Sequence, residues 1–365
     1  MRVAVVGAGI AGLTAAWELL QTGGVDVTVL ESERRAGGVI VTEQVDGFIV
    51  EGGPDGFLGG EPELPALAKE LGISDHVVSQ RARGTAVWTG KALKPIEEGQ
   101  AAALLGIDAT GAAVAAGFRS FANGMEEPVT ALAQRLAGTL RFAQGVAGLV
   151  SEGPRWHVAI TGGSAHDADG VVLALPAYSA GRLLEAVGVA GGRALGEVVY
   201  LPSITVSLAY RAEQIKAPMG GAGFVVDPNI VPAQDPTPLP DTVPLHIRAC
   251  TYSSAKFPGR ASDGHVLLRA YLGPMDGDPA QASHAELAAI LGIRGEPLWS
   301  RVFYWNRGLP RYRARHAEHV AAVRHRLSRL PPLAIAGAGY DGAGVSACVR
   351  SGREAARLIA RAMAR

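Results

Sequence analysis

A glycine-rich turn at the end of a short apolar run constrains the fold of this 365-residue chain more than any other feature. Val3-Ala-Val-Val6 has the length and composition of a buried strand. Gly7-Ala8-Gly9-Ile10-Ala11-Gly12 follows at once, and Ile10 to Leu20 continues at helical spacing with good helix formers. Val27–Leu30 reads as a second buried strand ending at Glu31, 19 residues after Gly12. Together they make a βαβ unit, the opening of a doubly wound sheet. The three glycines serve a tight turn, a close backbone approach to a diphosphate, and tight packing of helix on sheet. The helix N-terminus, with Ile10 and Ala11 in its first turn, offers unpaired N–H groups and partial positive charge to that diphosphate. An acidic side chain at position 31 accepts the two ribose hydroxyls of an adenosine and repels a 2′-phosphate. The pattern predicts a bound dinucleotide.

Composition narrows the remaining classes. Hydrophobic residues make up 48% and charged residues 19%, enough apolar material for a large core. The 34 basic and 34 acidic residues balance, which argues against nucleic acid as a partner, since phosphate binding wants a basic excess. Cys250 and Cys348 have no CxxC or Cys/His ligand spacing, so a reducing, cytoplasmic setting without structural zinc is expected. The first apolar run is too short for a signal sequence, and no segment approaches the roughly 20 apolar residues a membrane-spanning helix needs. The histidines His316, His319 and His325 are expected on a solvated helix face, not around a metal.

Along the chain, Val39–Thr42 and Phe48–Glu51 read as extended pieces, Glu63–Leu71 as a helix capped by Gly72, and Ala86–Thr89 with Ala92–Lys94 as a hairpin. Pro95–Gly117 is expected to form a short helix and loop, and Met125–Leu136 a helix. Strands follow at Leu140–Phe142, Val146–Val150, His157–Thr161 and Gly170–Leu173, and a helix after Leu175-Pro176. Ile204–Tyr210, Gly223–Val226, Leu245–Thr251 and His265–Leu272 alternate like strands of a mixed sheet, interrupted by a proline-rich loop over Asp227–Pro244. Leu333–Ala336 closes as a buried strand and Val345–Met363 as a long helix. The expected architecture is α/β (α+β overall): a Rossmann-like domain from residues 1–85, 118–177 and 325–365, with a mixed-sheet substrate domain from 86–117 and 178–324 inserted in it.

Ser32-Glu33-Arg34-Arg35-Ala36-Gly37-Gly38 resembles the R-x-G-G extension of the flavin amine oxidase superfamily, in which the arginine meets the diphosphate and the glycines pass under the flavin. Further segments are similar to its protoporphyrinogen and coproporphyrinogen oxidase branch. Glu51-Gly-Gly-Pro-Asp-Gly-Phe57 looks like E-x-G-P-D-S-F, whose backbone borders the isoalloxazine, and Gly124-Met125 looks like the G-G-M turn. Cys250 to Arg260 with Asp263 to Arg269 is similar to T-x-x-S-x-K-W-P-x-R and G-x-x-L-L-R. Trp305, Pro310, Tyr312 and His316 match W-x-x-x-x-P-x-Y-x-x-x-H, and Ala336-Gly337-Ala338, Gly344-Val345-Ser346-Ala347-Cys348 and Ser351-Gly352 match A-G-x…G-V-x-x-C…S-G.

The resemblance implies FAD as cofactor. It would be held by Gly7, Gly9, Ile10, Ala11, Gly12, Glu31, Ser32, Arg35, Gly38, Val39, Gly53, Pro54, Asp55, Gly56, Val146, Trp305, Gly337, Gly344 and Val345. The implied reaction is stepwise hydride removal from a tetrapyrrole to the flavin, with dioxygen as acceptor, in haem biosynthesis. Flavin carries the redox step, so no catalytic side chain is expected. Arg269, Lys256 and Arg311 are the candidates for meeting substrate carboxylates, with Arg260, Arg307, Arg313 and Arg315 behind them; Cys348 is expected as a small buried hydrophobe. The chain departs from the family in three places. Pro95–Gly117 replaces a long helical segment that roofs the substrate site and faces the membrane, which implies a shallower or more open pocket, or one closed by a partner, and weakened membrane contact. Val41 stands where many members have arginine, and the arginine that holds a substrate propionate is displaced or absent around Arg83–Val87. An oxidase or desaturase of an amine or isoprenoid, or a flavoprotein subunit without activity of its own, remain alternatives, and the sequence leaves the oligomeric state open.

Overall fold

The computed structural model describes all residues except 98–99, 102–103, 105–114, 228–244 and 365. Five strands lie parallel in the order Leu140–Arg141, Asp26–Leu30, Arg2–Val6, Gly170–Leu173, Leu333–Ile335. The two central ones are apolar and almost wholly buried, as strands covered on both faces must be. The chain leaves Arg2–Val6 toward one side and continues on its other side with Gly170–Leu173. The crevice outside the carboxyl ends at such a switch point is where open α/β sheets bind ligands.

One face of this sheet is covered by the helices Ile10–Gln21 and Val345–Met363. Two glycines permit that packing. A Cβ on Gly12 would stand 1.9 Å from the Gly7 carbonyl oxygen, and one on Gly352 would stand 2.2 Å from the Ala11 carbonyl oxygen. The other face is covered by the meander Val146–Glu152, Arg155–Ile160, Ala165–Ala168 and the helices Ala177–Ala186 and His316–Leu327.

A second, seven-stranded sheet runs Trp299–Arg311, Val199–Arg211, His265–Leu272, Ile247–Tyr252, Gly223–Val226, Thr85–Trp88, Leu93–Ile96. It is antiparallel except where Gly223–Val226 lies parallel to Thr85–Trp88. The helix Pro279–Leu291, capped by the Asp278 carboxylate, packs against it. The architecture is thus a doubly wound α/β unit joined to a mixed sheet.

Several elements differ from the pattern reading. Val39–Val41 is not a strand, and pairing starts at Thr42 (Thr42–Val45 with Phe48–Glu51), because the chain turns at Gly37 and Gly38 with φ of 103° and 59°. The helix expected from Met125 starts at Glu127, after Met125 has given its N–H to Glu51 Oε1. The strand Trp299–Arg311, the strand Ala165–Ala168 and the helix Pro279–Leu291 have no counterpart in the pattern reading. Most of the Pro95–Gly117 helix-plus-loop and the proline-rich loop lie outside the described residues. Among the described residues, no helix is long and apolar enough to cross a membrane, and no group of three metal-ligating side chains converges.

Candidate dinucleotide and substrate site

The cradle begins where Arg2–Val6 ends. Gly7 has φ of 102°, and a Cβ there would meet the Ala174 carbonyl oxygen at 2.4 Å, so the turn needs glycine. Gly9 is the N-cap of Ile10–Gln21, extended, with no side-chain cap, and a Cβ on it would meet nothing within 4 Å. Open space therefore lies before the first-turn N–H groups, which have no intrahelical acceptor. Glu31 is fixed at the rim: Oε2 accepts the Ala8 N–H at 2.7 Å, and Oε1 accepts from the Glu33 N–H at 2.9 Å and the Ser32 hydroxyl at 3.1 Å. The Gln144 N–H donates to the Glu31 carbonyl at 2.7 Å, which brings Val146, two residues on, to the same end.

Arg35 binds its own loop, donating from Nη1 to the carbonyls of Ala36 (3.0 Å) and Ile40 (3.2 Å) and from Nη2 to that of Gly38. The Gly37 N–H donates to the Ala8 carbonyl, and Gly38 lies against Gly9, so both glycine loops form one cradle. Bare backbone donors, a helix N-cap without a side chain and a poised carboxylate fit a dinucleotide.

The Glu51–Gly56 segment is gripped by the second sheet. The Gly52 carbonyl accepts Trp305 Nε1–H at 2.8 Å, Arg269 Nη2–H at 3.2 Å and the Thr205 hydroxyl at 3.3 Å. Arg269 also donates to the Gly53 carbonyl. Gly53 passes so near Val39 that a Cβ would sit 1.8 Å from the Val39 carbonyl oxygen, while a Cβ on Gly56 would sit 2.6 Å from the Arg119 carbonyl oxygen. Pro54, between them, is half-buried. Lys256 Nζ pairs with Asp55 Oδ2 at 2.8 Å. Arg260, 1% exposed, pairs with Glu51 at 3.2 Å and donates to the Phe121 carbonyl and the Ser120 hydroxyl. Burial alone would push the Asp55 carboxyl up, but Lys256 and then Arg269 more than offset it and hold it below the usual carboxylate range. Lys256 and Arg269, expected at a substrate carboxylate, are thus engaged by this segment, and Arg311 stands exposed at the strand end opposite Val199.

The third wall is the loop before the C-terminal helix. Gly337 (φ 116°) donates its N–H to Ser351 Oγ at 3.0 Å, the Ser351 hydroxyl donates to Asp341, and Asp341 takes both Nη groups of Arg324 at 2.7 and 2.6 Å. Burial opposes ionisation of Asp341, yet Arg324 and Ser351 hold its carboxyl below the usual range. Sequence reading missed this relay: Ser351 sat in a matched segment, but nothing marked Asp341 or Arg324. Gly344 caps the helix Val345–Met363 in an extended conformation with open space at its Cβ, and the Ser346 hydroxyl beside it is buried without a partner among the described residues. Burial pushes the Cys348 thiol up to about 12, which keeps it neutral. His316 is half-buried and stacks on Tyr312 with ring centroids 4.7 Å apart, so one face of it is covered rather than solvated.

A surface cavity of about 440 Å³ lies beside the helix Glu127–Arg135, and its carboxylates are engaged: Glu126 accepts the Thr42 N–H and Glu127 the Asn123 N–H.

The model of the flavin containing amine oxidoreductase family matches residues 10–123 and 95–360. Coproporphyrinogen III oxidase of Mycobacterium tuberculosis (strain H37Rv) is 27% identical over 459 aligned positions, covering 98% of this chain and 97% of the relative. That of Bacillus subtilis is 22% identical, covering 97% of each. This chain can fill at most 365 of the 459 positions, so at least 94 of them face a gap in it. A solved candidate protoporphyrinogen oxidase from Exiguobacterium superposes with a TM-score of 0.82 at 22% identity, over 100% of this chain and 99% of that one. Cyclohexylamine oxidase from Brevibacterium oxydans does so with 0.74 at 14%, over 100% and 99%, a shared fold.

Proposed function

The chain belongs to the flavin containing amine oxidoreductase family, and from that premise we propose that it is an FAD-dependent oxidase of a porphyrinogen, coproporphyrinogen or protoporphyrinogen, acting in haem biosynthesis. The observation that carries this is the grip on Gly52. Trp305 and Arg269, both from segments that resemble the porphyrinogen oxidases, converge on one carbonyl of the segment expected to border the isoalloxazine.

Bound FAD would supply the two-electron acceptance from substrate C–H bonds, with dioxygen regenerating it and leaving as hydrogen peroxide. The protein's part is binding and orientation. The first turn after Gly9 meets the diphosphate, and Glu31 takes the ribose hydroxyls through lone pairs left over from its backbone donors. The uncapped helix start at Gly344–Val345 presents a second partial positive charge, which would stabilise negative charge on a bound cofactor. Lys256, Arg260 and Arg269 act as positioning residues, because each neutralises or ties down the Glu51–Gly56 segment. A cytoplasmic setting is supported by two buried, unpaired cysteines.

Oxidation of coproporphyrinogen and protoporphyrinogen by the FAD-loaded protein, read as porphyrin fluorescence and peroxide in step, tests the reading. Turnover of an amine with neither tetrapyrrole consumed would replace it with an amine oxidase.

A further inference from the structure

A porphyrinogen is an apolar macrocycle edged by propionates, so its site needs cations that no protein acid already neutralises. On the site side of the second sheet, Lys256 is taken by Asp55, Arg260 by Glu51, Arg269 by the carbonyls of 52 and 53, and Arg301 by Glu43. Arg307 differs. It has no ion-pair partner among the described residues, and its guanidinium carbon lies over the Tyr178 ring, 4.2 Å from the centroid. Tyr178 is itself set by an edge-on contact with Tyr200, centroids 5.2 Å apart at 84°. Tyr200 is locked in turn: its hydroxyl accepts the Ala177 N–H at 2.9 Å and stands 2.8 Å from where a Cβ on Gly339 would be.

These three side chains border an open surface cavity of about 170 Å³, lined also by Gly196 and Val198, with no carboxylate among its lining residues. Glu197, between two lining residues, pairs outward with Arg193. The chain carrying Arg307 is tied to the cradle on either side of it, to the Gly52 carbonyl through Trp305 and to the Ala338 carbonyl through Tyr312.

Resting on the porphyrinogen reading, we propose that Arg307, stacked on Tyr178, is a carboxylate-binding subsite that receives a substrate propionate and sets specificity for carboxylated tetrapyrroles. A stacked guanidinium loses little freedom on binding and keeps its in-plane N–H groups available for two parallel hydrogen bonds to a carboxylate. The side chain comes from the strand that also carries Trp305, so the subsite needs nothing from the shortened Pro95–Gly117 stretch.

The test is binding of coproporphyrin III, as free acid and as methyl ester, to the FAD-loaded protein by fluorescence. Arg307→Gln should weaken the free acid roughly 10- to 100-fold, the size of a lost charge-assisted bidentate contact, and leave the ester alone. KM for coproporphyrinogen should rise in parallel while kcat falls far less. Tyr178→Leu, which removes the stack and keeps the charge, should give a smaller loss in the same direction. Unchanged affinity of Arg307→Gln for the free acid, or equal weakening of acid and ester, would overturn the subsite alone. Failure of the parent protein to bind the free acid would overturn the porphyrinogen reading and the subsite with it.

Discussion

Glu51 and Arg260 are 4% and 1% exposed and pair with each other, Arg260 also lying over the Phe257 ring, so the charge of each depends on its partner. Arg260→Met would strand the Glu51 carboxylate, and such a loss costs about 3–5 kcal/mol. Urea unfolding should show it, and adding Glu51→Gln should recover part; a loss below about 1 kcal/mol would mean the pair is solvated in solution. Glu31 makes a different prediction, about binding. Three donors hold its carboxylate at the cradle rim, so Glu31→Ala should weaken FAD by roughly 10- to 100-fold in a titration of apoprotein. Glu31 is legible from sequence because its role follows from spacing within a single βαβ unit. Lys256 and Arg269 are legible only as cations. What engages them, Asp55 and the carbonyls of 52 and 53, lies some 200 residues away in the chain, and no local pattern encodes a pairing at that range.

Among the elements, the relay from Arg324 through Asp341 and Ser351 to the Gly337 N–H ties two helices to one loop of the cradle. The native Asp341 carboxyl titrates below its unfolded counterpart, so its contribution is complete above the unfolded value of about 3.9 and is lost as pH falls through the native one. Flavin retention should therefore fall as pH drops below about 4, and Asp341→Asn should retain FAD less well at neutral pH and show a shallower acid loss. Retention that ignores both changes would separate the relay from the cofactor. Elements with a dense apolar pattern are readable to the residue: Glu63–Leu71, Gly170–Leu173, Gly223–Val226, His265–Leu272 and Val345–Met363 have the bounds their sequences predict. Trp299–Arg311 escapes such reading because it is an edge strand, half-exposed along most of its length, with no alternation. Ala165–Ala168 is short and polar, and only the neighbouring strand Arg155–Ile160 makes it a strand.

At the scale of the molecule, the chain spans nearly the full length of the mycobacterial relative while at least 94 aligned positions face a gap, so the frame is kept with fewer residues. The doubly wound sheet, the gripped Glu51–Gly56 segment and the Gly337 loop persist without them, since each is held by contacts within the described chain. If the short Pro95–Gly117 stretch leaves the cofactor more open, as the sequence implies, iodide should quench flavin fluorescence more strongly than in the Mycobacterium tuberculosis enzyme; equal quenching would contradict that expectation. The most direct measurement is an anaerobic titration of the purified, oxidised flavoprotein with coproporphyrinogen and protoporphyrinogen. Bleaching of the flavin band by one of them, with porphyrin fluorescence and recovery of the band on aeration, is the predicted result. A flavin that neither compound bleaches would contradict the porphyrinogen assignment.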